Sequence, residues 1–280
     1  MDTPQLAQKP TTITFIGAGN MARSLIVGLL QDQANVVLRV ADPDQQQLDA
    51  IRKHWPDVLA TTDNLEAIQG ADVVVLAVKP QIMREVTETL AEAAQRSRPL
   101  FVSIAAGIRE EALNRWLGGN QAIVRCMPNT PALVQAGATG LYANTQVSDS
   151  QRSAAESILR AVGITLWFAD EAKLDAVTAI SGSGPAYFFL VMEAMQAAAE
   201  QLGIEAADAH LLIMQTALGA AKLAMESGEL PADLRQKVTS KGGTTEAALK
   251  VLTSGGLHTL FAQALQAAES RSKELAAANS

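Results

Sequence analysis

Short apolar runs that end on a small residue, each followed by a helix-spaced segment, constrain this chain more than any other feature. Residues 12–16 form a β-type run ending at Gly17, and residues 21–30 then place Met21, Leu25 and Leu29 on one helical face. Residues 36–40, 71–78, 100–104 and 122–126 read as further strands, with helices over 48–55, 82–95 and 109–117 between them. Val73-Val74-Val75-Leu76 is continuously apolar, as a strand buried on both faces of a parallel sheet must be. This alternation, over about the first 165 residues, predicts an open α/β sheet.

After residue 169 the strand-like runs nearly vanish. Residues 172–179, 187–202, 206–227, 232–238, 245–254 and 257–278 read as helices, separated by breaks such as Ser181-Gly182-Ser183-Gly184-Pro185 and Gly242-Gly243. Length agrees, since 280 residues favour two domains. The expected architecture is an α/β Rossmann-type N-terminal domain over residues 1–168 and an all-helical C-terminal domain over residues 169–280. No internal repeat or low-complexity segment interrupts it.

Composition excludes several classes. A chain with 48% hydrophobic and 18% charged residues builds a core and is not disordered. A net charge of −7 with no basic run excludes a nucleic-acid binder, because counterion release needs clustered Lys and Arg. Cys126 is the single cysteine, so no internal disulfide is expected. It reads as a small core residue rather than a nucleophile. His54, His210 and His258 have no metal-ligand spacing, and no metal is expected. The first ten residues lack the apolar region of a secretory signal. Residues 186–199, broken by Glu193, are too short to span a bilayer and are expected as a buried core helix. A cytoplasmic protein with no membrane partner is the expectation.

The segment Gly17-Ala18-Gly19-Asn20-Met21-Ala22 follows a strand and opens a helix, the setting a dinucleotide fingerprint requires. Gly17 allows the tight turn, Gly19 leaves room for a pyrophosphate, and Ala22 lets helix and strand pack closely. Asp42, at the end of the second strand, stands near the distance expected for the acid that binds the ribose 2′-hydroxyl. Its alternative is an ordinary Asp-Pro turn residue. Ligands bind beyond the carboxyl ends of parallel strands, which brings in Ala77, Val78, Lys79 and Pro80, then Ala105, Ala106 and Gly107. Asn64 and Asn129 are counted with these cofactor-contacting residues, Asn129 and Pro128 as shapers of the nicotinamide pocket.

In Val238-Thr239-Ser240-Lys241-Gly242-Gly243-Thr244-Thr245-Glu246-Ala247, glycines precede a helix start. Such a turn exposes N–H donors suited to a small carboxylate, and the hydroxyls of Ser240, Thr244 and Thr245 add to them. The plainer reading is a helix cap made by Thr244 or Thr245. This segment, with Phe15 to Ala22, Arg125-Cys126-Met127-Pro128-Asn129-Thr130-Pro131-Ala132 and Ser181-Gly182-Ser183-Gly184-Pro185-Ala186-Tyr187, resembles the pyrroline-5-carboxylate reductase family. The resemblance covers nearly the whole chain in the same order.

The resemblance implies hydride transfer from a reduced nicotinamide to the imine carbon of 1-pyrroline-5-carboxylate, giving L-proline, the last step of proline synthesis. It implies a homodimer through the helical domain and assembly of dimers into a ring, typically a decamer. It places the substrate carboxylate on Ser240 and on the Gly243–Thr244 backbone, the catalytic Thr245 hydroxyl near the imine nitrogen, and Glu171 near the site, with Gly242 counted among the substrate-binding residues. Many members carry Pro where this chain has Lys241. Glu229 is a further candidate carboxylate, with a solvated helix end as its plainer reading. The family commonly takes NADPH and permits NADH, and Asp42 leans to NADH. Two rivals remain. A related β-hydroxyacid or imine reductase would work with a Lys, for which only Lys173 and Lys222 are near. A nucleotide-sensing regulatory protein would not need the second glycine cluster.

Overall fold

A computed structural model describes residues 9–32 and 35–279. The reading of the N-terminal decapeptide therefore falls mostly outside the described residues.

Eight strands form one sheet: β1 (Thr11–Ile16), β2 (Val36–Ala41), β3 (Leu59–Thr61), β4 (Val73–Leu76), β5 (Leu100–Ser103), β6 (Ile123–Met127), β7 (Gly137–Ala143) and β8 (Gly163–Trp167). Their order is β3-β2-β1-β4-β5-β6-β7-β8. Every pairing is parallel except β6 with β7. Side chains alternate across the sheet, so Val73 and Val75 join Phe15 and Leu25 in one core while Val74 and Leu76 join Ile16 and Phe101 in the other. That double burial is why β4 is apolar at every position. Helices α1 (Asn20–Gln31), α2 (Gln45–His54), α3 (Asn64–Ala67), α4 (Pro80–Ser97), α5 (Glu110–Trp116) and α6 (Asp149–Arg160) connect the strands.

β3, β7, β8, α3 and α6 go beyond the elements expected from sequence. β3 has three residues and none is buried. β7 hides behind its glycines, which mark close approach rather than a turn. A Cβ on Gly140 would lie 2.8 Å from Val177 Cγ1, and one on Gly137 would lie 2.9 Å from the Val162 carbonyl oxygen.

Beyond β8 come α7 (Lys173–Val177), a π turn (Thr178–Gly182), α8 (Gly184–Gln201), α9 (Ala206–Ser227), α10 (Pro231–Lys237), α11 (Thr244–Ser254) and α12 (Leu257–Ala278). The Ser-Gly-Ser-Gly-Pro segment, expected as a break, is instead read through by helix. The Ser183 N–H donates to the Thr178 carbonyl at 2.8 Å, the wider spacing of a π turn. The helical run Lys173–Gln201 is thus 29 residues long, enough by length and composition to cross a membrane. This corrects the shorter span read from residues 186–199. The buried-core expectation for that segment is also corrected. Phe188, Phe189 and Leu190 on α8 are 63–68% exposed in the single chain, because the helix is apolar all round and this chain covers too little of it.

The chain divides into two compact units. One runs up to Ser183 and takes back the residues from Ala268, while the other is Gly184–Ala267. The boundary read from sequence, at 168/169, marks where strands cease, but packing continues further. Leu174 and Asp175 are buried in the first unit. Asp175 Oδ2 accepts from Arg109 Nη2 at 2.5 Å and its Oδ1 from Ser272 Oγ at 2.7 Å. The end of α12 lies against Gly107, whose carbonyl accepts from Asn279 Nδ2 at 3.3 Å.

Candidate active site

The carboxyl ends of β1, β2, β4 and β5 are built around the glycine turn. Gly17 has φ +103°, and a Cβ there would meet the Ala77 carbonyl oxygen at 2.7 Å. Only glycine lets the peptides after β1 and β4 approach this closely. Gly19 is the N-cap of α1 and has no side-chain cap. A Cβ added to it would meet nothing within 4 Å. No side chain caps the first turn of this twelve-residue helix, as a pyrophosphate site needs. Ala18 and Ala22 are buried, Met21 packs on the core, and Asn20 is exposed. These residues fit a dinucleotide cradle.

Asp42 makes both of its oxygens useful to the backbone. Oδ2 accepts the Ala18 N–H at 2.7 Å and Oδ1 accepts the Asp44 N–H at 2.9 Å. The turn role weighed for it in sequence is thus present, and it ties β2 to the glycine turn. Asn64 opens α3, which Asp63 caps. Ala77 donates its N–H to the Ile16 carbonyl, Val78 packs on the core, and Lys79 is the exposed N-cap of α4 with Pro80 at its first position. Of the group after β5, Ala106 is exposed. Ala105 is buried, and Gly107, at φ +70°, is spent on packing α12.

Asn129 follows β6, and both ends of its amide make a hydrogen bond. Oδ1 accepts the Ala138 N–H at 2.9 Å, and Nδ2 donates to the Ser181 carbonyl at 3.0 Å. It holds β7 and the π turn together. A Cβ on Gly182 would lie 2.7 Å from Met127 Cε, the flexible end of that side chain.

A buried ionic network stands beside this edge. Arg125 is 6% exposed, and its Nη1 donates to Glu171 Oε1 at 2.6 Å. The same oxygen accepts the Glu110 N–H at the start of α5, also at 2.6 Å. Through this one oxygen Glu171 ties the approach to α7 to β6 and to the start of α5. Burial pushes the Glu110 carboxyl above its usual 4.5, and the neighbouring Glu171 charge adds to this, against a hydrogen bond from Asn144. Sequence reasoning missed Arg125, Arg109 and Asp175. The available signal was an arginine inside the apolar strand Ile123–Met127, since a buried charge demands a partner. Burial pushes the Cys126 thiol far up, as befits a core residue.

The Ser240–Thr245 loop lies in the other compact unit. Gly242 has φ +73° and its N–H donates to Glu246 Oε2 at 2.7 Å. Gly243 is the N-cap of α11, without a side-chain cap. Its N–H donates to the Ser240 carbonyl at 3.0 Å, and a Cβ there would lie 2.5 Å from Ser240 Oγ. Neither Thr244 nor Thr245 is the cap, so both hydroxyls and the first-turn N–H groups of an eleven-residue helix are left for a ligand. Ser240, Lys241, Gly242 and Thr244 are exposed, and Thr245 is half-buried. Glu229 is ion-paired with Lys237 at the end of α10. Lys173 is exposed and Lys222 is an exposed partner of Glu226, so neither is arranged as a buried catalytic amine. His54, His210 and His258 are exposed, and among the described residues no cluster of three metal-ligating side chains is present.

Comparison with known proteins adds to this geometry. Residues 171–275 match the family described as pyrroline-5-carboxylate reductase dimerisation, and residues 12–107 match NADP oxidoreductase coenzyme F420-dependent. A pyrroline-5-carboxylate reductase of Pseudomonas aeruginosa is 52% identical, over 99% of this chain and 98% of its own. The structure of a pyrroline-5-carboxylate reductase from Coxiella burnetii superposes with a TM-score of 0.90 at 48% identity, covering 95% of this chain and 98% of that one. The Plasmodium falciparum pyrroline carboxylate reductase with NADP bound superposes at 0.83 with 26% identity, covering 96% and 99%. With such identity along almost its full length, the chain belongs to the pyrroline-5-carboxylate reductase family.

Proposed function

We propose that the protein reduces 1-pyrroline-5-carboxylate to L-proline with NADH or NADPH, the last step of proline synthesis. The observation that carries this is the uncapped start of α11, where two glycines and two threonines present more donors than a helix cap uses. When bound, the reduced nicotinamide supplies the hydride to the imine carbon. Gly17, Gly19 and the start of α1 hold the pyrophosphate, while Lys79 and Ala106 offer further contacts at the same sheet edge. Ser240 and the Gly243–Thr244 backbone hold the substrate carboxylate, and the Thr245 hydroxyl positions the ring nitrogen. An imine that arrives protonated needs no strong acid, because its nitrogen keeps that proton as the hydride adds. Alignment then does most of the work, and it supplies up to about 7–11 kcal/mol. Glu171 serves by fixing α7 through Arg125.

A second copy covers the apolar α8 face, in keeping with the dimerisation family matched by this region. We place the dimers in a larger ring, a decamer, and the protein in the cytoplasm. Substitution Thr245→Ala is expected to lower kcat/KM for the imine about 100-fold. Nicotinamide oxidation in steady state checks this, and unchanged turnover removes Thr245 from the mechanism. Absence of imine reduction by the pure wild-type protein sinks the assignment.

A further inference from the structure

The carboxyl end of β2 carries two acids, Asp42 and Asp44, and both are organised by the backbone. Asp42 spends one hydrogen bond per oxygen, on Ala18 and on Asp44. A carboxylate accepts about four, so it retains capacity for a ribose diol. Asp44 is the N-cap of the ten-residue α2, where its Oδ1 accepts the Gln46 N–H at 2.9 Å.

In a Rossmann-type sheet the adenosine ribose meets the end of the second strand. A 2′-phosphate at that place adds about −1.5 to −2 charge and calls for a helix N-terminus or free cations. The helix that starts here is α2, and the chain has put its own carboxylate on it. No Ser, Thr, Lys or Arg follows Asp42 before Arg52.

The arginines of this region are engaged elsewhere. Arg23 donates from Nε to the Ala18 carbonyl at 3.1 Å and from Nη2 to Gln47. Arg39 donates to the carbonyls of Ala67 and Gln69. Arg52 is paired with Asp49 and bonded to the Ala60 carbonyl.

We infer that Asp42 and Asp44 together make NADH the preferred cofactor of this protein. Asp42 accepts the ribose diol, and Asp44 fills the anion seat that a 2′-phosphate needs. This rests on the reading of Gly17–Ala22 as a dinucleotide cradle and is independent of the imine.

Calorimetric titration of the full chain with NADH and with NADPH, without imine, tests it. The wild type is expected to bind NADH tighter than NADPH by at least about tenfold. Asp44→Ser keeps a capping hydroxyl and removes the charge, and it is expected to move the affinity ratio about tenfold toward NADPH. Asp42→Ser/Asp44→Ser is expected to move it further, chiefly by loss of NADH affinity. Denaturant unfolding establishes that each variant is folded.

Equal affinities in the wild type overturn the inference, as does an unchanged ratio in folded Asp44→Ser. Binding of neither dinucleotide overturns the inference and the cradle reading together. Equal binding of both overturns the inference alone and leaves the cradle standing.

Discussion

At the scale of single residues, Gly17 carries the heaviest constraint. Its positive φ and the contact a Cβ would make with the Ala77 carbonyl act against any side chain. Gly17→Ala is expected to cost about 1–3 kcal/mol and to weaken dinucleotide binding, measured by denaturant unfolding and by calorimetry on the same sample. Glu110 gives a pH prediction. Its carboxyl titrates higher in the folded chain than its usual 4.5, so folding favours the protonated acid. Its contribution is full below about pH 4.5 and is lost as pH rises through the folded value. Glu110→Gln should therefore flatten the fall in stability above that pH, and unfolding midpoints across a pH series check it. The glycine turn and the Ser240–Thr245 loop were legible in sequence because each is a local motif, read over a few neighbouring residues. Arg125 and Asp175 were not, because their partners, Glu171 and Arg109, lie 46 and 66 positions away.

At the scale of elements, legibility followed burial and length. The fully buried β4 and β5 announced themselves as apolar runs, and α9 and α12 were read to their ends. β7 did not, since Gly137 and Gly140 look like turn residues until Val162 and Val177 are seen above them. The π turn was read as a break for the same reason, because glycine and proline signal interruption and nothing local reveals that a wider helical turn absorbs them. One carboxylate, that of Asp175, bonds at once to the start of α5 and to α12. Asp175→Ala removes the acceptor for both Arg109 and Ser272. With Arg109 able to reach water, the expected cost is about 2–3 kcal/mol. A lowered denaturation midpoint with earlier proteolysis after α12 loosens is the result to look for, and an unchanged midpoint argues against the junction.

For the whole molecule, the helical unit Gly184–Ala267 leaves more apolar surface than a monomer keeps. Periodicity showed that these helices were apolar but not what covers them; the second copy was legible only through the family resemblance, because periodicity reports hydrophobicity and not its partner. Phe189→Asp costs the isolated chain little, since Phe189 is 63% exposed there. It is expected to convert the wild-type assembly to monomer in sedimentation velocity, and an unaltered sedimentation coefficient would show that α8 is not the seam. The return of α12 has a consequence in time. Translation makes the sheet first, yet Asp175 and Gly107 wait for Ser272 and Asn279, which are made after every helix of the other unit. The unit that carries the glycine turn is thus begun before the other and closed after it, and a chain cut short within α12 keeps a sheet whose last seam is still open.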